Sequence, residues 1–165
     1  MDGSIKFLIK VVSKPEFPET VEKFGTGQDI AYISIEATPD CAKYYLEVEK
    51  EDFDNDHFLP PGPNVLNLEF DDTTKDFLWH GHQIKTISGK QAKEIVDFIE
   101  GHLGKTIIVH CKAGMSRSQG VARFVLDTWP DLYEQDQSNP CLRPNPEVVR
   151  KLKRYYIEKH GIYSE

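Results

Sequence analysis

The sequence predicts an α/β fold, in which a central, mostly parallel sheet is flanked by helices and residues 1–165 form a single domain. Three observations predict it. The chain has the length of about one ordinary domain. Hydrophobic residues make up 39% of it, which is enough for one packed core. Segments rich in β-branched residues alternate with segments of helical periodicity, as in folds built from βαβ units.

The first half of the chain is rich in strand-forming residues. Residues 5–12 and 30–36 combine β-branched and aromatic side chains between Pro, Gly and Asp residues, so each predicts a strand. Residues 47–63 are acidic and then proline-rich, which indicates a loop. Residues 65–70 alternate apolar and polar side chains and predict a third strand, which ends at an Asp-Asp pair.

A helix and a buried strand follow. Ser88 and Gln91 have the spacing of a capping box, and apolar residues then recur at helical spacing as far as Leu103. Gly104 supplies the expected end of this helix. Residues 105–110, with the sequence KTIIVH, predict a buried strand.

The last third of the chain predicts two more helices. A loop over 111–116 leads into a helix over 118–129, which the following proline closes. Residues 131–144 are polar and irregular. Asn145 as the N-cap and Pro146 at the first helical position then begin a final helix.

The strand at 65–70, the helix at 88–103 and the strand at 105–110 form a βαβ unit. A helical crossover of this length makes its two strands parallel, so their carboxyl ends share one edge of the sheet. Ligands bind at that edge in open α/β sheets. The sequence therefore predicts that the Asp-Asp pair and Cys111 lie in the same crevice, although some forty residues separate them.

Charge and composition exclude several classes of partner. Twenty Lys and Arg against 27 Asp and Glu give a net charge of −7, so we expect no nucleic-acid partner. The longest apolar runs are far shorter than the roughly 18 residues of a membrane span. The 3 cysteines cannot all pair and lack the spacing of a zinc site. We therefore expect a cytoplasmic monomer with free thiols and with no metal or cofactor.

Cys111 and Arg117 stand six positions apart, between the buried strand and the next helix. A loop of this length that contains Gly114 curls so that its N–H groups point inward, and the helix N-terminus adds its positive dipole end. Such a cradle stabilises a thiolate, and the planar arginine side chain grips two phosphate oxygens. The pattern predicts attack on a phosphoryl group, although a cysteine after Ile-Ile-Val is also typical of a buried core.

The segment from His110 to Ser118, HCKAGMSRS, resembles the His-Cys-x5-Arg-Ser/Thr signature of cysteine-dependent protein tyrosine and dual-specificity phosphatases. The resemblance runs from about Val65 to Leu152, about half of the chain, and includes an LRPNP segment at the start of the last helix that is similar to one in dual-specificity enzymes. It implies that Cys111 forms a phosphocysteine, Arg117 holds the phosphate, Ser118 eases departure of the thiolate and His110 braces the loop. The implied phosphate-binding residues are Lys112, Ala113, Gly114, Met115, Ser116 and Arg117.

Cleavage of a phosphoester also needs a proton for the leaving oxygen. The candidate acids are Asp71, Asp72 and Asp76. The resemblance of residues 66–73 to the strand and acid loop of the family favours Asp72, with Asp71 as its rival. A polar pair such as Asp71-Asp72 is also typical of the end of a strand, with no catalytic role.

The function that the sequence predicts is hydrolysis of phosphotyrosine, with or without phosphoserine and phosphothreonine, in a phosphorylated protein. The closest alternative is a phosphoinositide or other non-protein phosphatase, because residues 111–114 (CKAG) also resemble the loop of those enzymes. Met115 stands where that group has a second lysine. Sulfur transfer and arsenate reduction also use a Cys-x5-Arg loop. An inactive module that binds phosphate without hydrolysing it is the alternative from outside the enzymes.

Overall fold

The computed structural model describes residues 5–161. Within this range the chain forms seven strands and five helices. In chain order they are β1 (Phe7–Ser13), α1 (Phe17–Phe24), β2 (Ile30–Glu36), α2 (Pro39–Glu47), β3 (Val65–Glu69), β4 (Phe77–Trp79), β5 (His82–Ile84), α3 (Gly89–Glu100), β6 (Thr106–Cys111), α4 (Arg117–Thr128), β7 (Tyr133–Gln135) and α5 (Pro146–His160).

Five of the strands form one sheet in the order β3-β2-β6-β1-β7. All four neighbouring pairs are parallel, so the predicted fold class is confirmed. β3 and β6 are parallel, as the βαβ unit predicts, but β2 lies between them. The helical crossover fixes the relative direction of two strands, whereas a third strand from elsewhere in the chain is free to pair between them.

The predicted strands and the later helices lie close to where the sequence places them. The capping box of α3 is present, with Ser88 accepting from the N–H of Gln91. The predicted end of α3 is wrong, because the helix stops at Glu100 and Gly101 caps it. Residues 101–104 instead form a turn, and Gly104 has a positive φ of 85° that suits glycine.

Five elements were not predicted from the sequence: α1, α2, the two strands of the β4–β5 hairpin and β7. The hairpin turn consists of His80 and Gly81, which both have positive φ, the arrangement of a two-residue turn of type I′. β7 lies within the segment predicted to be irregular and pairs with β1 over only three residues. It is an edge strand that depends on its neighbour more than on its own sequence.

The alternation of side chains along the strands gives the sheet two different faces. One face packs against α3 and α4, with α5 packed on both helices, and holds the larger apolar cluster, to which Ile107 and Val109 of β6 belong. The other face packs against α1, where Ile108 meets Phe17. Because neighbouring residues of a strand point to opposite faces, Cys111 lies on the α4 side of the sheet and His110 on the α1 side. No helix among residues 5–161 is long and apolar enough to cross a membrane.

Candidate active site

Cys111 is the last residue of β6 and lies at the base of the loop that leads into α4. Only 3% of its surface is exposed. Its Sγ lies 3.0 Å from Oγ of Ser118, which is buried in the first turn of α4. The sulfur therefore sits between the end of a strand and the start of a helix, where the helix dipole favours negative charge.

The loop from Lys112 to Ser116 has its carbonyl groups held from outside. The Lys112 carbonyl accepts from the N–H of Lys14. The Gly114 carbonyl accepts from the side-chain amides of Gln119 and Asn139. The Ser116 carbonyl accepts from the N–H groups of Gly120 and Asn145. Across a trans peptide the next N–H points in the opposite direction, so the N–H groups that follow these carbonyls point into the loop. Lys112, Ala113 and Met115 themselves are exposed.

Gly114 allows this loop to press against the end of β1. Its φ is +67°, and a Cβ atom built there would lie 2.9 to 3.0 Å from the backbone of Val12 and Ser13. Any other residue would be strained in φ and would also collide with main chain that cannot move aside cheaply. The loop conformation therefore requires glycine at this position.

The surroundings of Cys111 favour its ionised form. Burial by itself raises the pKa of a thiol, but the charge of Arg117 and hydrogen bonds from the Ser118 hydroxyl and from the backbone of Ser118 and Ser116 outweigh it and lower the pKa of Cys111. The other cysteines differ. Burial, together with the nearby Asp71 carboxylate, raises the pKa of Cys41 to about 12, and burial raises the pKa of Cys141.

This difference predicts selective alkylation. At neutral pH, iodoacetate is expected to modify Cys111 before Cys41 and Cys141, because the thiolate is the reactive species. Mass spectrometry of peptides from a time course measures the order of modification. Inorganic phosphate should slow the reaction at Cys111 alone. Faster labelling of Cys141, which is the most exposed of the three, would contradict the assignment of Cys111 as the ionised cysteine.

Arg117 is the first residue of α4 and is buried, with 7% of its surface exposed. Its Nη1 donates to the carbonyl of Phe70 at 2.8 Å, directly after β3. Its Nε is buried and has no hydrogen-bond partner within residues 5–161. A buried guanidinium N–H needs an acceptor, so this donor suits an oxyanion that enters the loop.

The two neighbouring aspartates after β3 differ in their environment. Asp71 is buried, and its carboxylate accepts from the N–H and hydroxyl of Thr38 and from the N–H of Lys85. Asp72 is exposed, and its Oδ1 accepts from the Ser116 hydroxyl at 2.7 Å and from Nδ2 of Asn145 at 2.8 Å. The sheet edge thus brings Asp72 against the loop that follows Cys111. Asp71 instead connects the end of β3 to Thr38 before α2 and to Lys85 after β5.

Asp76, the third candidate acid, lies outside this cleft. Its Oδ1 accepts from the N–H of Thr86 at 2.9 Å, and it lines a separate polar cavity next to the start of α3.

A cleft of about 370 Å³ opens in front of Arg117 and Asp72. Its walls are aromatic, and Lys112 Nζ lies 4.5 Å from the ring centroids of both Tyr45 and Phe53. The aromatic lining residues are Tyr44, Tyr45, Phe53, Phe77 and Trp79. They come from α2, the following loop and the β4–β5 hairpin, three segments for which the sequence carried no functional signal.

The hairpin is fastened beside the cleft by polar contacts. Nε1 of Trp79 donates to the hydroxyl of Tyr44 at 3.0 Å, and His82 contacts Asp40 at 2.8 Å. Trp79 remains about half exposed, so its ring is available at the rim. Among residues 5–161 no three His, Cys, Asp or Glu side chains are grouped as metal ligands would be.

His110 lies behind the loop, on the α1 side of the sheet. It is 1% exposed, its ring lies 4.1 Å from that of Phe17, and its Nδ1 lies 3.2 Å from the carbonyl oxygen of Cys111. Burial lowers the pKa of His110 to about 4, although the contact with the Cys111 carbonyl opposes the shift. The ring is therefore neutral at neutral pH, and Nδ1 donates to the backbone of Cys111.

Fold and site together define an α/β protein with a cysteine at the base of a strand-to-helix loop. No family model and no curated protein matches the chain. Among solved structures it is similar to the human tyrosine phosphatase-like serine/threonine/tyrosine-interacting protein, with 19% sequence identity over 90% of this chain and 87% of that chain and a TM-score of 0.47. A similarity this distant says nothing about activity.

Proposed function

We propose that this chain is a cysteine-dependent phosphatase that hydrolyses phosphotyrosine in proteins through a phosphocysteine on Cys111. The observation that carries the proposal is the position of Cys111, whose Sγ lies 3.0 Å from the Ser118 hydroxyl at the start of α4. There the Arg117 charge and hydrogen bonds lower the pKa of the thiol despite burial. A thiol whose ionisation is favoured by inward N–H groups and a guanidinium is a nucleophile placed where a phosphate would bind.

The residues support a two-step reaction. In the first step the Cys111 thiolate attacks phosphorus, the bond from phosphorus to the substrate oxygen breaks, and Asp72 gives that oxygen a proton. In the second step water attacks the phosphocysteine, Asp72 takes the proton back, and the sulfur leaves as a thiolate. Ser118, 3.0 Å from the sulfur, donates to the thiolate as it departs. Arg117 follows the phosphate oxygens through both steps.

Asp72 is the acid that the contacts favour over Asp71. All three hydrogen bonds to the Asp71 carboxylate come from the protein framework, and giving up that carboxylate to a substrate would leave buried donors unpaired. Asp72 uses Oδ1 for its contacts with Ser116 and Asn145. Its Oδ2 then carries the proton that is transferred.

The aromatic walls support phosphotyrosine as the preferred substrate. A phenyl ring that stands on the loop would contact rings on both sides, and aromatic pairs contribute about 0.5–1.5 kcal/mol beyond the area that they bury. A phosphoserine side chain is too short to reach the rim at Trp79, and an inositol ring offers hydroxyl groups to an apolar wall. Lys112, stacked between Tyr45 and Phe53, supplies a positive charge beside the phosphate.

Hydrolysis assays on the full chain test this proposal. We expect a burst of para-nitrophenol from its phosphate ester that is insensitive to chelators and blocked by vanadate, followed by slower turnover. Rates on a phosphotyrosine peptide should exceed those on the matching phosphoserine peptide and on soluble inositol phosphates. Faster release from inositol phosphates would instead identify a non-protein phosphatase, and binding of the phosphopeptide without any burst would identify a binding module.

A further inference from the structure

A string of hydrogen bonds leads from the long loop after α2 to the backbone of Cys111. Glu69 Oε2 lies 2.6 Å from His57 Nε2, and His57 Nδ1 lies 2.6 Å from Ser34 Oγ. The same Ser34 oxygen lies 2.6 Å from His110 Nε2, and Nδ1 of that ring contacts the Cys111 carbonyl. We call the four residues Glu69, His57, Ser34 and His110 the histidine string.

The histidine string crosses three strands and ends in the interior. Glu69 belongs to β3, Ser34 to β2 and His110 to β6, and these strands are neighbours in the sheet. Ser34 is fully buried, whereas the side chain of Glu69 is 42% exposed. His57 comes from the segment that the sequence predicts to be a loop, yet its side chain is 84% buried at the sheet. A cavity of about 360 Å³ opens over His57 and His110.

The contacts fix the protons at the inner end of the string. The neutral His110 ring carries its proton on Nδ1, because that nitrogen faces a carbonyl, which only accepts. Nε2 of His110 is then an acceptor, and the hydroxyl of Ser34 must donate to it. The single proton of the Ser34 hydroxyl is thereby committed, so Nδ1 of His57 must donate to Ser34.

Counting the protons in the same way at the Glu69 end of the string gives an unusual result. His57 carries a proton on Nδ1, yet its Nε2 faces a carboxylate oxygen of Glu69 at 2.6 Å. An unprotonated Nε2 facing a carboxylate oxygen would place two hydrogen-bond acceptors against each other with no proton between them. A second proton must therefore lie between His57 and Glu69, which makes them an ion pair or its neutral equivalent. Each hydrogen bond of the string depends on that proton.

We propose that His57 and Glu69 are positioning residues for the active-site loop, which they orient through Ser34 and His110. This inference rests on the proposed function of Cys111. The proton shared by Glu69 and His57 sets the direction of the Ser34 hydroxyl, which sets the tautomer of His110 and so the N–H donated to the Cys111 carbonyl. The string holds the nucleophile from the face of the sheet opposite the phosphate.

Loss of the shared proton reverses the string. The remaining proton of His57 would move to Nε2 to satisfy Glu69, and Nδ1 would then accept from Ser34. Ser34 would no longer donate to His110, and the buried Nε2 of that ring would lose its donor. An unsatisfied buried polar group is costly, so loss of that proton would loosen the hold on Cys111.

Other charged groups also face the string. Glu36 of β2 lies 3.7 Å from Nε2 of His110, and burial raises the pKa of this carboxyl despite its ion pair with Lys14. Lys14, after β1, also contacts Asp54 of the loop at 3.0 Å. Asp56 lines the same cavity, and the charge of Arg117 reaches His110 from α4. All of these groups stay in place when Glu69 alone is changed.

Glu69→Gln is the decisive variant. A glutamine amide donates to an unprotonated Nε2, so a neutral His57 with its proton on Nδ1 satisfies every contact of the string without a second proton. We therefore expect Glu69→Gln to keep kcat on para-nitrophenyl phosphate close to the wild-type value. KM should change little in either protein, because Arg117 and the loop amides hold the phosphate without the string.

His57→Ala removes the string altogether, and we expect it to lower kcat about tenfold, the lower end of what orienting partners of functional histidines contribute. His57→Asn, whose amide can still donate to Ser34, should recover most of that loss, and this rescue would not follow from a merely structural role. His160→Ala is the matched control, because His160 also pairs with a glutamate, Glu100 at 2.9 Å, at the far end of α3 and α5.

The outcomes separate the two proposals. A wild type that hydrolyses no phosphate ester overturns the proposed function. An active wild type whose Glu69→Gln variant loses kcat, or a His57→Ala variant with unchanged kcat, overturns the inference alone. The rate of iodoacetate labelling of Cys111 in each variant reports on the string independently of turnover. If His57→Ala does not fold, Glu69→Gln and His57→Asn still decide the question.

Discussion

Replacement of Cys111 by serine is expected to lower kcat on an aryl phosphate on the order of 10⁴-fold or more, the scale of removing a covalent nucleophile. A serine hydroxyl fits the same space, 3.0 Å from Ser118. Its pKa is too high for the Arg117 charge and the loop amides to ionise it. Steady-state hydrolysis of para-nitrophenyl phosphate measures the loss, and calorimetry with a phosphotyrosine peptide should show that binding persists.

Cys141→Ser is the matched control for this variant. Cys141 donates to the carbonyl of Gln119 at 3.4 Å, a contact that serine also makes, and we expect activity to be unchanged. Retained turnover in Cys111→Ser would remove the phosphocysteine from the mechanism. Loss of peptide binding together with turnover would show that the substitution had damaged the loop, which urea unfolding of both variants would reveal.

Replacement of Asp72 by asparagine is the second large effect, and we expect kcat to fall by about 10² to 10⁴, the usual contribution of a positioned acid. Asparagine keeps an oxygen for Ser116 and Asn145 but has no proton to transfer, so the loop should stay in place. The loss should grow with the basicity of the leaving oxygen, because a poor leaving group depends most on protonation. A series of substituted aryl phosphates measures this trend.

Asp76→Asn is the control for Asp72→Asn, because Asp76 follows the same strand but contacts only the N–H of Thr86 among residues 5–161. Asp71→Asn is expected to weaken the fold, since the carboxylate at that position accepts three hydrogen bonds from Thr38 and Lys85. An Asp72→Asn variant that matches the wild type on phenyl phosphate would refute the assignment of the acid.

Much of the fold follows from the sequence because its strands and later helices carry strong local signals. The β-branched run of residues 30–36 and the capping box at Ser88 place their elements to within a few residues. The start of α2 carries a helix signal, with Thr38 as the N-cap and Pro39 in the first turn. Its apolar and polar side chains do not follow a clear helical periodicity, so the helix was not predicted. β7 has three residues and pairs only with β1, so its strand conformation comes from tertiary contacts.

The centre of the site was accessible to sequence reasoning because one continuous segment, from His110 to Ser118, supplies it. The order of strands in the sheet was not, since pairing between β2 and β6 involves residues about 76 positions apart. For the same reason the aromatic walls had no signal. Tyr44 and Trp79 face one cleft only because α2 and the hairpin pack beside each other.

His57 shows most clearly which site residues the sequence alone does not reveal. Its neighbours in the sequence are acidic or proline-rich, and such a segment is typically exposed. Only the folded chain reveals that Ser34 offers a buried hydroxyl to His57 and that Glu69 lies on its other side. Sequence patterns identify functional residues that lie close together along the chain. A residue such as His57, whose partners come from two distant strands, belongs to no such pattern.

The contacts of Asp72 and Arg117 imply that the proposed catalytic groups are in place before a substrate arrives. Arg117 anchors the end of β3 through Phe70, while Ser116 and Asn145 hold the acid against the nucleophile's own loop. Under the proposed function, an enzyme assembled in this way needs no further element among residues 5–161 to close over its substrate. Its turnover should then be indifferent to solvent viscosity, and its choice of substrate must come from the shape of the open cleft.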